Sequence, residues 1–300
     1  MASIEKLAPE LDRLVSPDAE IEQLGSGYGS DNGPGEGPLW WKEGGYLLFS
    51  DVGNSKRYKW APGDAAPAVF RDPTDNANGL TRDPQGRLLA CEHGTRRVTR
   101  LESDGSTTTV ANRYHGRRLN RPNDVVVKSD GSIYFTDPAI LGVESELDFN
   151  GVYRVSADLD TIHCLIRDFA LPNGLCFSPD EKTLYINDSR RRHIRAFDLD
   201  PSTGLLFLHT ERVFCQMSGD APGAPDGMKC DMEGNVYCTG PGGLWIISPE
   251  GKHLGTILTG AATNLNWGGD DWKTLYYTTR ATMGRIQMNT TGVPVPRGQV

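Results

Sequence analysis

The sequence predicts an all-β fold, a six-bladed β-propeller of four-stranded blades, and three observations carry that expectation. A polar residue, then glycine or a small residue, then an apolar strand opens five segments: Glu36-Gly37-Pro38-Leu39, Asn78-Gly79-Leu80, Asn123-Asp124-Val125, Asn173-Gly174-Leu175 and Asp226-Gly227-Met228. A weaker sixth opening is Asn264-Leu265-Asn266-Trp267, and the series recurs at about 40 to 50 residues, the length of one propeller blade. Each opening is followed by short apolar runs separated by Asp, Pro and Gly turn residues. Helical periodicity is absent except over Ile4 to Val15, where a helix is expected.

In chain order, residues 1–18 are expected to form an N-terminal extension and residues 19–300 a single propeller domain. The blade from Gly79 is the clearest, with strands at Gly79 to Asp83, Arg87 to Glu92, Arg97 to Glu102 and Thr107 to Ala111. Asp83-Pro84-Gln85-Gly86 and Ser103-Asp104-Gly105 reverse the chain between them. The same order repeats from Val125, Gly174 and Gly227. The final blade starts at Asn264, continues over Thr274 to Thr279 and Gly284 to Met288, and then runs into a Pro/Gly-rich tail without a fourth strand. Ala19 to Leu24 has no blade of its own. It is therefore expected to supply that missing outer strand, closing the ring and removing an open edge.

Composition excludes several function classes. A formal charge of -8 argues against nucleic acid, whose binding rests on neutralising phosphates. No run approaches the length of a membrane span, and Met1 to Leu14 lacks an apolar signal core. The six cysteines form no CxxC pair and are expected to be reduced thiols in a cytoplasmic protein.

Equivalent strand starts around a propeller converge on its axis. Glu36, Asn173 and Asp226 offer two carboxylates and an amide oxygen there, with Asn123 as a further donor. Oxygen ligands of this kind suit a hard divalent cation such as calcium, magnesium or manganese. Turn chemistry alone explains any single Asn, Asp or Gly before a strand; the repetition is informative mainly for the fold. The serines lack a G-x-S-x-G elbow and the glycine-rich stretches lack a P-loop lysine. Trp40, Trp41 and Trp267 are read as blade packing, Arg190 to Arg192 as an exposed loop, and Asn112 to Arg118 as a cationic segment overhanging the pocket. Pro138 to Asn150 is a candidate lid.

Beyond these single signals, Glu36-Gly37-Pro38, Asn78-Gly79-Leu80, Cys91-Glu92-His93-Gly94, Arg96-Arg97-Val98, Arg121-Pro122-Asn123-Asp124, Tyr134-Phe135-Thr136-Asp137-Pro138, Pro172-Asn173-Gly174-Leu175 and Pro225-Asp226-Gly227-Met228 together resemble the gluconolactonase branch of the regucalcin-like SMP-30/gluconolactonase/luciferin-regenerating enzyme family. The resemblance runs from about Gly35 to Gly269. It implies one divalent cation at the channel mouth, held by Glu36, Asn173 and Asp226 with Asn123 close by. Calcium is the leading ion, and zinc, manganese, magnesium or Fe(II) are alternatives. It also implies substrate contacts from Arg121 and Asn123. Thr136-Asp137-Pro138 departs from the segment that faces substrate in regucalcin-type members, so sugar contacts from that branch do not transfer there.

The expected activity is metal-dependent opening of a sugar lactone, a small-molecule substrate of the aldonolactone type. The cation would polarise the carbonyl and acidify a water, Asp226 would act as the base, and His93 would contact substrate. Two alternatives remain at this point: a metal-dependent esterase or phosphotriesterase on the same scaffold, and a calcium-binding or interaction propeller without enzymatic activity.

Overall fold

Short runs rich in β-branched and aromatic residues, each bounded by Asp-Gly or Asn-Gly chemistry, form antiparallel strands with one turn between neighbours. The computed structural model describes residues 3–139 and 142–297. Blade 1 comprises Gly35–Trp41, Tyr46–Asp51, Lys56–Trp60 and Ala68–Arg71, and blade 2 comprises Ala77–Arg82, Leu88–Glu92, Arg97–Leu101 and Thr107–Ala111. Blade 3 is Val125–Val127, Ile133–Asp137, Gly151–Val155 and Ile162–Ile166; blade 4 is Pro172–Phe177, Thr183–Asp188, His193–Leu199 and Leu206–Gln216. Blade 5 holds Met228–Cys230, Val236–Gly240, Gly243–Ile247 and His253–Ile257, and blade 6 begins with Ala262–Gly268, Thr274–Thr279 and Thr282–Gln287. Inner strands touch in sequence around the ring, and blade 6 closes on blade 1. The fold is a six-bladed β-propeller.

The ring closes as the missing strand demanded. Glu22–Ser26 pairs antiparallel with Thr282–Gln287, with Glu22 opposite Arg285 and Ser26 opposite Thr282. The helix expected over Ile4 to Val15 shrinks to Leu11–Leu14, and Ile4–Lys6 instead adds a fifth strand to blade 5, with Ile4 opposite Ile257. Pro9 accounts for the break, because it cannot continue a helix from upstream and biases Ala8 toward extended backbone. Leu11 and Leu14 bury against blades 5 and 6 in the same cluster as Trp40 and Trp267.

Apolar faces pack between blades, so the core is a series of wedges rather than one central mass. One wedge joins blades 2 and 3 through Cys91, Val98, Phe135 and Tyr153; another joins blades 3 and 4 through Tyr134, Val152, Phe177 and Phe197. Trp40 stacks on Tyr276 at 5.5 Å and Trp267 meets Tyr237 edge-on at 4.8 Å, while Trp41 stacks on Tyr46 and lies under the Arg82 guanidinium. All three indoles serve packing. The six cysteines are free thiols. Among the described residues no helix is long and apolar enough to cross a membrane.

The axis itself stays polar. Past the inner strands, the segment Val293 to Arg297 crosses the far end of the channel. Val293 N–H donates to Cys230 O at 3.1 Å, and the Arg297 guanidinium donates to the carbonyls of Phe177, Ser178 and Pro179, each at 3.2 Å.

Candidate functional site

The polar residues that open the inner strands reach the axis because the strands are bulged there. Register slips by one residue between Glu36 and Leu39, between Ala77 and Leu80, between Pro172 and Leu175, and between Ala262 and Asn264. A bulge bends its strand and re-aims a side chain, here away from the blade interior and into the channel mouth. Glycine lets the neighbouring inner strand come close enough to complete the turn. Gly37 sits at φ +53, and a Cβ there would lie 2.4 Å from Asn78 O.

Hydrogen bonds lock each opening to the next blade. Gly79 N–H donates to Asn123 O and Gly174 N–H to Asp226 O, both at 3.0 Å, and Gly227 N–H donates to Thr263 O at 2.8 Å. Second-strand side chains reinforce these seams: Ser50 Oγ donates to Asn78 O at 2.8 Å and Thr136 Oγ1 donates to Asn173 O at 2.7 Å.

Four of the expected site residues meet at this mouth. Asn78 Nδ2 donates to Asn123 Oδ1 at 2.8 Å, Asn123 Nδ2 donates to Asn173 Oδ1, and Asn173 Nδ2 donates to Ser189 Oγ at 3.0 Å. Asn173 also lies beside the Asp226 carboxylate and favours its charged form. Glu36 completes the group from blade 1, its Oε2 accepting from Gly37 N–H at 3.0 Å and from Asn264 Nδ2 at 2.9 Å. Glu36 is 2% exposed. Burial, and then the neighbouring Asp124, push its carboxyl up; Asp226 is pushed up by burial and by Glu36 and Asp124.

These shifts have one physical cause. Carboxylates are held close at the base of the channel mouth, where each disfavours the ionisation of the others. No Lys or Arg pairs with Glu36 or Asp226 among the described residues; Lys229 Nζ stands 4.0 Å from Asp124 instead. No group of three or more His, Cys, Asp or Glu that could hold a metal ion occurs among the described residues, so the donor set is mixed, two carboxylates with amide oxygens. Hard oxygens and three acidic groups that the single Lys229 charge offsets only in part fit a divalent ion.

Arg121, His93 and Asn123 flank the mouth. Arg121 makes no side-chain hydrogen bond or ion pair among the described residues, and partial burial lowers its pKa. His93 Nε2 lies 3.2 Å from Asn78 Nδ2, and its buried Nδ1 has no partner. Burial and then the Arg121 charge drive His93 down to about 3, so the ring is neutral at physiological pH.

Several roles were invisible in the sequence. Asp137 accepts from Asn120 N–H at 2.8 Å and from Arg121 N–H at 2.6 Å, so it holds the backbone that presents Arg121. Asp188 does the same in the next blade, accepting from Ala170 N–H at 2.7 Å. An acidic residue at the end of a second strand, just ahead of a turn, was the available signal. Asp124 lies fully buried with Oδ2 unpartnered by any hydrogen bond. The cationic segment before Arg121 behaves differently from expectation. Arg113–Tyr114 and Arg117–Arg118 form a small hairpin whose charges are spent on Glu146, Asp148 and the Thr95 carbonyl. That hairpin packs on the loop from Pro138 to Asn150, of which residues 140 and 141 lie outside the described residues.

Comparison with known proteins follows the same lines. Residues 34–281 match the SMP-30/Gluconolactonase/LRE-like region. A gluconolactonase of Zymomonas mobilis is 31% identical, covering 97% of this chain and 88% of its own. A pentonolactonase of Haloferax volcanii is 26% identical over 82% of this chain and 81% of its own. The solved structure of a gluconolactonase from Xanthomonas campestris superposes with a TM-score of 0.84 at 31% identity, covering 95% of this chain and 94% of that one.

Proposed function

The chain belongs to the SMP-30/gluconolactonase/LRE-like family, and on that premise we propose that it is a hydrolase opening a sugar lactone of the aldonolactone type with one divalent cation, calcium foremost, at the propeller axis. The observation that carries the reading is the pair Glu36 and Asp226, carboxylates whose charges act on each other at the channel mouth beside the amides of Asn173 and Asn264, with neither ion-paired to Lys or Arg and Arg121 unpaired among the described residues. Named relatives that are gluconolactonases and a pentonolactonase support the lactone class.

Glu36, Asn173 and Asp226 would hold the cation, with Asn123 adjoining. When bound, a divalent cation supplies Lewis acidity toward a carbonyl and lowers the pKa of water. Asp226 takes the proton of the attacking water on a carboxylate oxygen, with Asn173 beside it favouring the charged form. Arg121 donates to substrate oxygens and pre-pays their orientation. His93 stays neutral and donates from Nδ1, which has no partner among the described residues. Asp137 keeps the Arg121 backbone fixed throughout.

Acid release from a panel of aldonolactones, corrected for spontaneous opening and compared with aryl esters and phosphotriesters, tests the substrate class. Asp226→Asn is expected to retain calcium by titration calorimetry while kcat falls by about 10²-fold or more. Glu36→Gln is expected to lose calcium binding and turnover together. Full turnover in chelated protein, or an Asp226→Asn variant with unchanged kcat, would remove this mechanism.

A further inference from the structure

The wedge between blades 1 and 2 contains a buried cation that the axial site does not use. Arg57 lies on the third strand of blade 1 and is 5% exposed, yet its guanidinium makes no hydrogen bond or ion pair among the described residues, and Nε is wholly without a partner. Directly across the ladder stands Arg71, exposed and equally unpaired. Like charges opposite one another on antiparallel strands repel, and a buried unpaired charge is costlier still. Thr74, 6% exposed, adds a second orphan, a hydroxyl without a partner lining the same cavity.

We propose that this inter-blade cavity is a binding site for one small oxyanion, a phosphate or carboxylate group, clasped by Arg57 and Arg71 with the Thr74 hydroxyl as a further donor. Two guanidinium groups present only donors, in the planar fork that suits oxyanions, and the Thr74 hydroxyl can turn its proton toward the same ligand. The cavity measures about 40 Å³, room for a few oxygen-sized groups, since one water takes about 10–15 Å³ on that measure. Acidic neighbours counter Arg57 only in part: the Glu92 charge acts on it, but no carboxylate pairs with it among the described residues. Glu92 lines the cavity but accepts from Thr99 Oγ1 at 2.9 Å and from Arg97 Nε at 2.6 Å, and Asp75 faces Arg97 at 3.7 Å. Burial, then the Arg71 charge, lower the Arg57 pKa to about 10 against the opposing pull of Glu92.

The site is separate from the axis. Ser50 stands opposite Glu36, and Arg57 stands opposite Ser50, so Arg57 lies two strands outward, roughly 10 Å from the strand that carries Glu36. Ser50 turns its hydroxyl toward blade 2, and Arg57 and Arg71 share that face of the sheet.

Thermal unfolding of the full chain with inorganic phosphate, acetate or sodium chloride at matched ionic strength tests the assignment. A saturable rise in Tm is expected with an oxyanion, about 5 °C at a hundredfold excess over Kd, and none with chloride. Whichever of phosphate and acetate acts at lower concentration identifies the group. The rise should vanish in Arg57→Met and shrink at least tenfold in apparent affinity in Arg71→Ala, whose exposed position keeps the fold intact. No saturable shift with either oxyanion, or a shift that survives in Arg71→Ala undiminished, overturns the proposal.

Discussion

Arg121 shows how one side chain acquires its task from its surroundings. Its backbone is pinned by Asp137, its guanidinium is left without an acceptor among the described residues, and the neighbouring His93 is held neutral. A cation so placed offers its donors to whatever enters. Arg121→Met is therefore expected to raise KM for the lactone by about 10- to 100-fold, the worth of one or two hydrogen bonds to a charged group, while calcium affinity stays unchanged. Steady-state kinetics beside calorimetry separate the two. Arg57, by contrast, has its donors buried, and the cavity that faces them is small.

Strands and seams impose their own demands. A Cβ at Gly227 would lie 2.0 Å from Asn264 Oδ1 and 2.6 Å from its Cα, and Asn264 donates to Glu36. Gly227→Ala should lower stability by about 1–3 kcal/mol through overpacking and weaken calcium binding through the displaced Asn264; a melting curve and a titration read the two effects. Another seam joins blades 3 and 4, where Arg195 pairs with Asp168 at 2.8 Å and with Glu211 at 2.6 Å. The Arg195 hydrogen bond holds the Asp168 carboxyl below its ordinary value. An acid depressed in the folded state stabilises above its unfolded pKa of about 3.9, and that contribution is lost as pH falls through the folded value. Asp168→Asn should accordingly cost under about 1 kcal/mol near pH 7, because the carboxylate is largely exposed, and the difference from wild type should disappear in acid. Parallel denaturant titrations at neutral and acidic pH would show it; a constant difference across pH would refute it.

The ring as a whole depends on its N-terminus. Glu22–Ser26 supplies the outer strand of blade 6, Ile4–Lys6 extends blade 5, and Leu11, Leu14 and Leu24 bury between them. Burying three leucines is worth about 5–9 kcal/mol, a large share of the roughly 5–15 kcal/mol by which a folded protein is stable. Removing residues 1–26 would also bare the edge of Thr282–Gln287. The truncated chain is expected to aggregate on size-exclusion chromatography or to melt without a cooperative transition; an unchanged Tm would show that closure is dispensable.

Much of this architecture was legible in the chain because propeller blades are written in short-range chemistry. Asn78-Gly79-Leu80 and Asn173-Gly174-Leu175 announce inner strands, Asp83 to Gly86 announces a reversal, and the fourth strand missing after Met288 points back to the N-terminus. The N-terminal helix was overestimated because apolar spacing over Ile4 to Val15 cannot reveal that Ile4 finds Ile257 as a strand partner. Other properties belong to the folded ring alone. Whether Glu36 and Asp226 share one space depends on contacts between residues far apart in the chain and on bulges that leave no mark in composition. The same holds for the hairpin charges that Glu146 and Asp148 consume, and for Arg57, an ordinary strand residue until blade 2 closes over it. Turn and strand preferences are local free energies and survive in a linear reading; solvation and charge balance are sums over three-dimensional neighbours, and only the assembled propeller sets them.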